Sequence, residues 1–120
     1  MNSQTAFRIS AVFGFVAVAL GAFGAHGLQD LLIRNVRTAT WDTAAHYHIT
    51  HSVVMLLVAT LQPFRCTAWW LMLAGVVIFS GTLYVFALTN LKWLVAITPF
   101  GGVSLLAGWL ALAFGKTKTD

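Results

Sequence analysis

Four long apolar stretches, at residues 7–28, 43–61, 68–88 and 93–114, leave this chain few ways to fold. Crossing a hydrocarbon core about 30 Å thick takes around 20 helical residues, and each stretch is of that order. Of the 120 residues, 59% are hydrophobic and only 8% charged, far from the balance of a soluble globular domain. Backbone N–H and C=O groups in hydrocarbon must find partners within the chain, which a helix supplies segment by segment. The expectation is an all-α fold: a single integral membrane domain, 1–120, forming a four-transmembrane-helix bundle with both termini on the same side. Little chain is left outside the spans. A functional site must therefore lie in the bundle, at its surface or in a partner.

The connecting segments support this layout. Trp41, Trp69, Trp70 and Trp93 stand at the starts of spans and Trp109 near the end of the last, where an indole suits the headgroup level. Between the first two spans, Asp30, Arg34 and Arg37 fall on one helical face and Leu28, Leu32 and Val36 on another. That pattern predicts a short amphipathic helix on the membrane surface. The isoelectric point near 9.9 suggests nucleic acid, but the basic residues are scattered over helix ends and loops, which excludes a nucleic-acid partner. Arg8, Arg65, Lys116 and Lys118 on one side outnumber Arg34, Arg37 and Lys92 on the other, favouring cytoplasmic termini under the positive-inside bias. Cys66, the only cysteine, then sits in a cytoplasmic loop and stays reduced. Arg8 ahead of an apolar run ending in Ala22, Gly24 and Ala25 has a signal-peptide look, but the segment is expected to be retained as a helix.

The stretch AAHYHITH, residues 44–51, places three histidines at the head of the second apolar run. With 1.5 Å of rise per residue from Thr43, His48 lies roughly 7 Å and His51 roughly 12 Å along the helix. His48, His51 and Tyr47 are expected to face protein, and His46 the interface. Connectivity brings further polar groups to the same end: His26 in GAFGAHGL, Ser80, Thr82 and Tyr84 in FSGTLYVF, and Thr98 in ITPFGG. One half of the bundle is then polar and the other is built mostly from Val, Leu, Ala, Phe and Met. Pro99 removes a backbone donor. It either kinks a continuous fourth span or divides it into two pieces with Thr98 as N-cap, leaving free N–H groups in the polar half. Four-residue spacing of small residues, Ala17, Gly21 and Ala25 and again Ser104 and Gly108, predicts close helix packing.

GAFGAHGL, WDTAAHYHITH from Trp41, FSGTLYVFALT, ITPFGG and the Gly108–Trp109 pair together resemble the YgdD-like family of small bacterial inner-membrane proteins. The resemblance runs over essentially the whole chain. It implies four transmembrane helices in a bacterial inner membrane and brings no substrate, cofactor or catalytic residue with it. Tyr47, His48 and His51 stand where that family shows a similar Tyr and His pattern, and His46 is a local variation.

The polar half admits several chemistries. Imidazoles can hydrogen-bond across helices to Ser80, Thr82, Tyr84 or backbone carbonyls, a purely structural role. His26 with His48, or with His51 as an alternative partner, offers one ring from each of two helices to a haem iron. His26, His48 and His51 together would offer a divalent metal three imidazoles, suited to zinc or copper. A histidine can also relay protons, although the apolar half provides no onward path. An enzyme is not expected: Asp30, Asp42 and Asp120 are the only acidic residues, and none supplies a general base within the spans. The sequence points to an accessory role in the lipid bilayer, as an interaction or assembly component, homo-oligomeric or attached to a larger membrane complex, with no cofactor. The alternative is a ligand-, metal- or haem-binding or a proton- or solute-permeation protein. It would use the polar half-bundle of His26, Tyr47, His48, His51, Ser80, Thr82, Tyr84 and Thr98.

Overall fold

The structure of the chain, a computed structural model, describes residues 1–115. Lys116 and Lys118, which entered the charge comparison, and Asp120 lie outside the described residues. Five helices follow one another: α1 (Ser3–Ala25), α2 (Gln29–Asn35), α3 (Thr38–Ala59), α4 (Cys66–Thr89) and α5 (Trp93–Phe114). α3 and α4 form the central pair, with α1 laid against α3 and α5 against α4.

Among the described residues, three helices are long and apolar enough to cross a membrane: α1, α4 and α5. The all-α expectation holds, but the four-span bundle does not. α3 has the length, at 22 residues, but not the composition. Polar residues recur from Thr38 through Asp42, His46, His48 and His51 to Ser52, and only residues 53–59 are uninterrupted apolar sequence. Each such side chain lowers the gain from transfer into hydrocarbon. What holds α3 is protein, because it packs between α1 and α4 with His48, His51 and Ser52 buried. With three candidate spans among the described residues instead of four, the even count that put both termini on one side is lost.

The packed faces follow alternating steps of three and four residues. On α3 they are Trp41, Ala44, His48, His51, Met55 and Val58, and on α5 Leu94, Thr98, Gly101, Leu105 and Gly108. This is the spacing of helices whose side chains interlock along a shared seam. It differs from the four-residue spacing read in α1, where Ala17 is buried but Gly21 has open space beside it and Ala25 is exposed. The closest approach on α1 is at Gly24, where an added Cβ would collide with the Trp41 indole. On α5 it is at Gly101, where the obstacle is the Phe79 backbone.

Two apolar clusters fill the interior. One gathers Met55, Val58, Trp69, Met72, Val76 and Leu105, and the other Leu32, Trp41, Ala44, Tyr84 and Ala87. Trp41 and Trp69 therefore sit in the core at 2% and 0% exposure, which corrects their assignment to the headgroup level. Each buries its ring because its N–H finds a partner inside. Trp41 Nε1 donates to the Leu20 carbonyl at 2.9 Å, and Trp69 Nε1 donates to Ser10 Oγ at 2.9 Å.

α2 is the expected short helix between the first two long ones, though briefer than the residues 28–37 whose pattern suggested it. It ends where Val36 takes the left-handed conformation at φ 57°. Leu32 anchors it in the core, and the Asn35 amide donates to the Ala87 and Leu88 carbonyls at the end of α4, at 3.0 and 3.2 Å. Arg37 adds a bond to Asn90 Oδ1 at 2.7 Å and lies over the Phe86 ring. At the opposite end, Arg65 donates to the Leu112 carbonyl at 2.8 Å and to the Gly115 carbonyl. Side chains thus satisfy carbonyls that a helix C-terminus leaves without partners.

Candidate functional site

The three histidines of AAHYHITH do not share one environment. At 100° per residue, the two-residue step turns His46 well away from His48, whereas His48 and His51, three residues apart, share the packed face and diverge by about 60° toward different neighbours. His46 is exposed, whereas His48 and His51 are buried at 5% and 6% exposure. His48 faces α1 and α4, and its Nδ1 lies 2.9 Å from Tyr84 Oη. The same ring meets Phe13 edge-on at a centroid distance of 6.1 Å.

His51, one step further round the packed face, reaches α5. Trp109 Nε1 donates to His51 Nε2 at 3.1 Å, and His51 Nδ1 lies 2.9 Å from the Tyr47 carbonyl. An indole N–H only donates and a carbonyl only accepts. His51 is therefore the neutral Nδ1–H tautomer, with both ring nitrogens in use. Tyr47, 39% exposed, stacks parallel to the His51 ring at 5.8 Å and leans on Phe79 at 4.6 Å.

The remaining residues of the predicted polar half are bonded within the protein. Ser80 Oγ donates to the Ala44 carbonyl at 2.8 Å, tying α4 to α3. Thr82 and Thr98 share a hydroxyl hydrogen bond of 2.6 Å between α4 and α5. Thr98 also donates to the Leu94 carbonyl, one turn back within an unbroken α5. Thr98 is thus an interior residue of a continuous helix, and the divided-helix reading gives way to a helix that carries Pro99 internally.

His26 does not join the other histidines. It is the exposed C-cap of α1, its backbone N–H turned to the Ala22 and Phe23 carbonyls. Among the described residues no group of three His, Cys, Asp or Glu side chains is placed to hold a metal ion. The triad of His26, His48 and His51 is thus not assembled, and of the His26–His48 pair suggested for haem, His26 is exposed while His48 is buried against Phe13 and Tyr84. Nor is polarity confined to one end. The Ser10–Trp69 pair, with Ser10 Oγ donating to the Ala6 carbonyl at 2.7 Å, sits in the other half, which the sequence reading made apolar. The available signal was Ser10, a lone polar residue in an apolar run.

Two grooves flank the α3–α4 pair, each with one buried histidine in its lining. The first, of about 270 Å³, runs between α1 and α4, with Val12 and Val16 on one wall, Val76 and Val77 on the other, and His48 and Tyr84 within. The second, of about 460 Å³, opens between α3, α4 and α5 and is lined by Tyr47, His51, Phe79 and Trp109, with Pro99 and Gly102.

The sequence profile of a family described as "Protein of unknown function (DUF423)" matches residues 20–102. The UPF0382 membrane protein YwdK of Bacillus subtilis (strain 168) is 39% identical over 116 residues, 92% of this chain and 94% of its own length. A UPF0382 membrane protein of Haemophilus influenzae is 39% identical over 118 residues, covering 91% and 90%. The UPF0382 inner membrane protein YgdD of Escherichia coli (strain K12) is 37% identical over 123 residues, covering 98% and 93%. No solved structure matches. The relatives named as membrane proteins agree with the three apolar helices in making this a membrane protein in contact with the lipid bilayer. The resemblance carried by GAFGAHGL and WDTAAHYHITH is borne out, and the chain belongs to the DUF423 family, that of the UPF0382 membrane proteins.

Proposed function

We propose that the chain is a non-enzymatic accessory component of the bacterial inner membrane, crossing it more than once and docking to copies of itself or to a larger membrane complex. One observation carries this reading: the buried polar side chains are directed to one another and to backbone carbonyls. Such bonds tie helices together and leave His51 without a free nitrogen for a metal or a proton relay. The inner-membrane setting is supported by the Escherichia coli relative YgdD, which is named an inner membrane protein.

Native mass spectrometry of the protein gently extracted from its own membrane tests this. A homo-oligomer or a complex with a different subunit is the expected result. A monomer carrying stoichiometric haem or metal would overturn it. His48→Leu gives a second check, since a structural histidine predicts loss of the protein from the membrane. Normal abundance combined with a lost phenotype would place function at the histidine itself.

A further inference from the structure

The groove between α1 and α4 stands apart from the rest of the interior. Its two walls belong to helices long and apolar enough to cross the membrane, and Val12 and Val77 on them are exposed at 59% and 52%. Val12, Val16, Val76 and Val77 make those walls apolar, yet His48 and Tyr84, at 5% and 9% exposure, meet inside it. Gly81 also lines the groove, and nothing lies within 4 Å of where its Cβ would be.

The His48–Tyr84 pair differs from His51 in how its proton is held. For His51, Trp109 and the Tyr47 carbonyl allow one tautomer only. Between His48 Nδ1 and Tyr84 Oη, 2.9 Å apart, either atom can donate. When the phenol donates, Tyr84 Oη presents lone pairs to a ligand donor. When the imidazole donates, the phenol O–H is free for a ligand acceptor. Among the described residues no Lys or Arg lines the groove. An ionised carboxylate or phosphate there would be buried without a counter-charge, which is strongly unfavourable.

We propose that this groove binds a neutral, membrane-resident lipophile through a single hydroxyl or carbonyl oxygen hydrogen-bonded to the His48–Tyr84 pair, its hydrocarbon lying between α1 and α4. The proposal goes beyond the accessory role and stands independently of it. A chain without a protein partner would still bind such a molecule, and the binding experiment reports on the groove alone.

The test is equilibrium binding of tritiated dodecanol, a dodecanone and dodecanoate to the full chain in lipid nanodiscs, against empty nanodiscs. Saturable binding of dodecanol or of the dodecanone is expected, with dodecanoate no better than background. An alcohol preference points to a lipid alcohol as the natural source, and a ketone preference to a quinone-like one. Gly81→Leu, which fills the groove from a position with room for the side chain, is expected to weaken binding at least about tenfold, and Tyr84→Phe by about tenfold. Gly21→Leu, equally unobstructed but outside the groove lining, is expected to leave binding unchanged. Circular dichroism and thermal unfolding confirm that each variant is folded, and Gly81→Leu decides the matter alone if Tyr84→Phe is not. Absence of saturable binding by both neutral probes, equal binding of dodecanoate, or wild-type binding by Gly81→Leu would overturn the proposal.

Discussion

The His51 ring meets the Trp109 N–H at one nitrogen and the Tyr47 carbonyl at the other, 3.1 and 2.9 Å away. Removing the indole donor leaves a partly buried acceptor without its partner, whereas removing the ring as well removes the group that suffers. Trp109→Phe is expected to cost about 1 kcal/mol of stability, and the double variant with His51→Leu about 1 kcal/mol less than the sum of the single changes. Thermal unfolding in one detergent, run as a double-mutant cycle, checks this, and simple additivity would show that the bond contributes nothing. Val36 makes the opposite prediction. A β-branched residue at φ 57°, 82% exposed, holds a conformation that disfavours any Cβ-bearing side chain. Val36→Asn is expected to stabilise the protein by about 1 kcal/mol, seen as a raised unfolding temperature. Neither feature is legible in the sequence. Periodicity put His51 on a protein-facing side, but the partner lies 58 positions away on α5.

Helix contacts are set by small residues where two backbones meet. At Gly101 a Cβ would strike the Phe79 backbone, which belongs to α4 and cannot move without carrying its helix. Gly101→Val is therefore expected to destabilise by about 2 kcal/mol or more, measured by unfolding and by the yield of folded protein. Gly21→Ala, with open space around it, is expected to stabilise by up to about 1 kcal/mol through helix propensity alone. Glycine count and four-residue spacing rank these positions the wrong way round. The alternating steps on α3 and α5 identify Gly101 correctly, and those steps were present in the sequence. His48 and Thr98 sit on them among apolar residues, so a pattern of hydrophobicity alone passes over them.

Over the whole molecule, side chains from neighbouring segments finish the carbonyl ends of two of the long apolar helices. Asn35 covers the end of α4 and Arg65 the end of α5. Arg65→Ala is expected to lose about 1 kcal/mol and to speed hydrogen exchange in the last turn of α5 while leaving the end of α4 protected. Uniform acceleration along the chain would show instead that Arg65 supports the entire fold. Arg65 and Asn35 also show how helices distant in sequence are registered end to end. Arg65 entered the sequence reading only as a topological charge, and its acceptors lie 47 and 50 positions away.

The sequence by itself determined the membrane setting, the helical class and the family. These depend on composition, on segment length and on short motifs, all local properties of the chain. It also marked His48, His51, Tyr84 and Thr98 as polar groups needing partners. Which partner each one finds, and that α3 is held by protein between α1 and α4, were decided only by tertiary structure. A polar residue in an apolar run states a requirement for a hydrogen bond. Its direction depends on how helices far apart in the chain are turned toward one another, and small steric contacts such as Gly24 on Trp41 and Gly101 on Phe79 set that rotation.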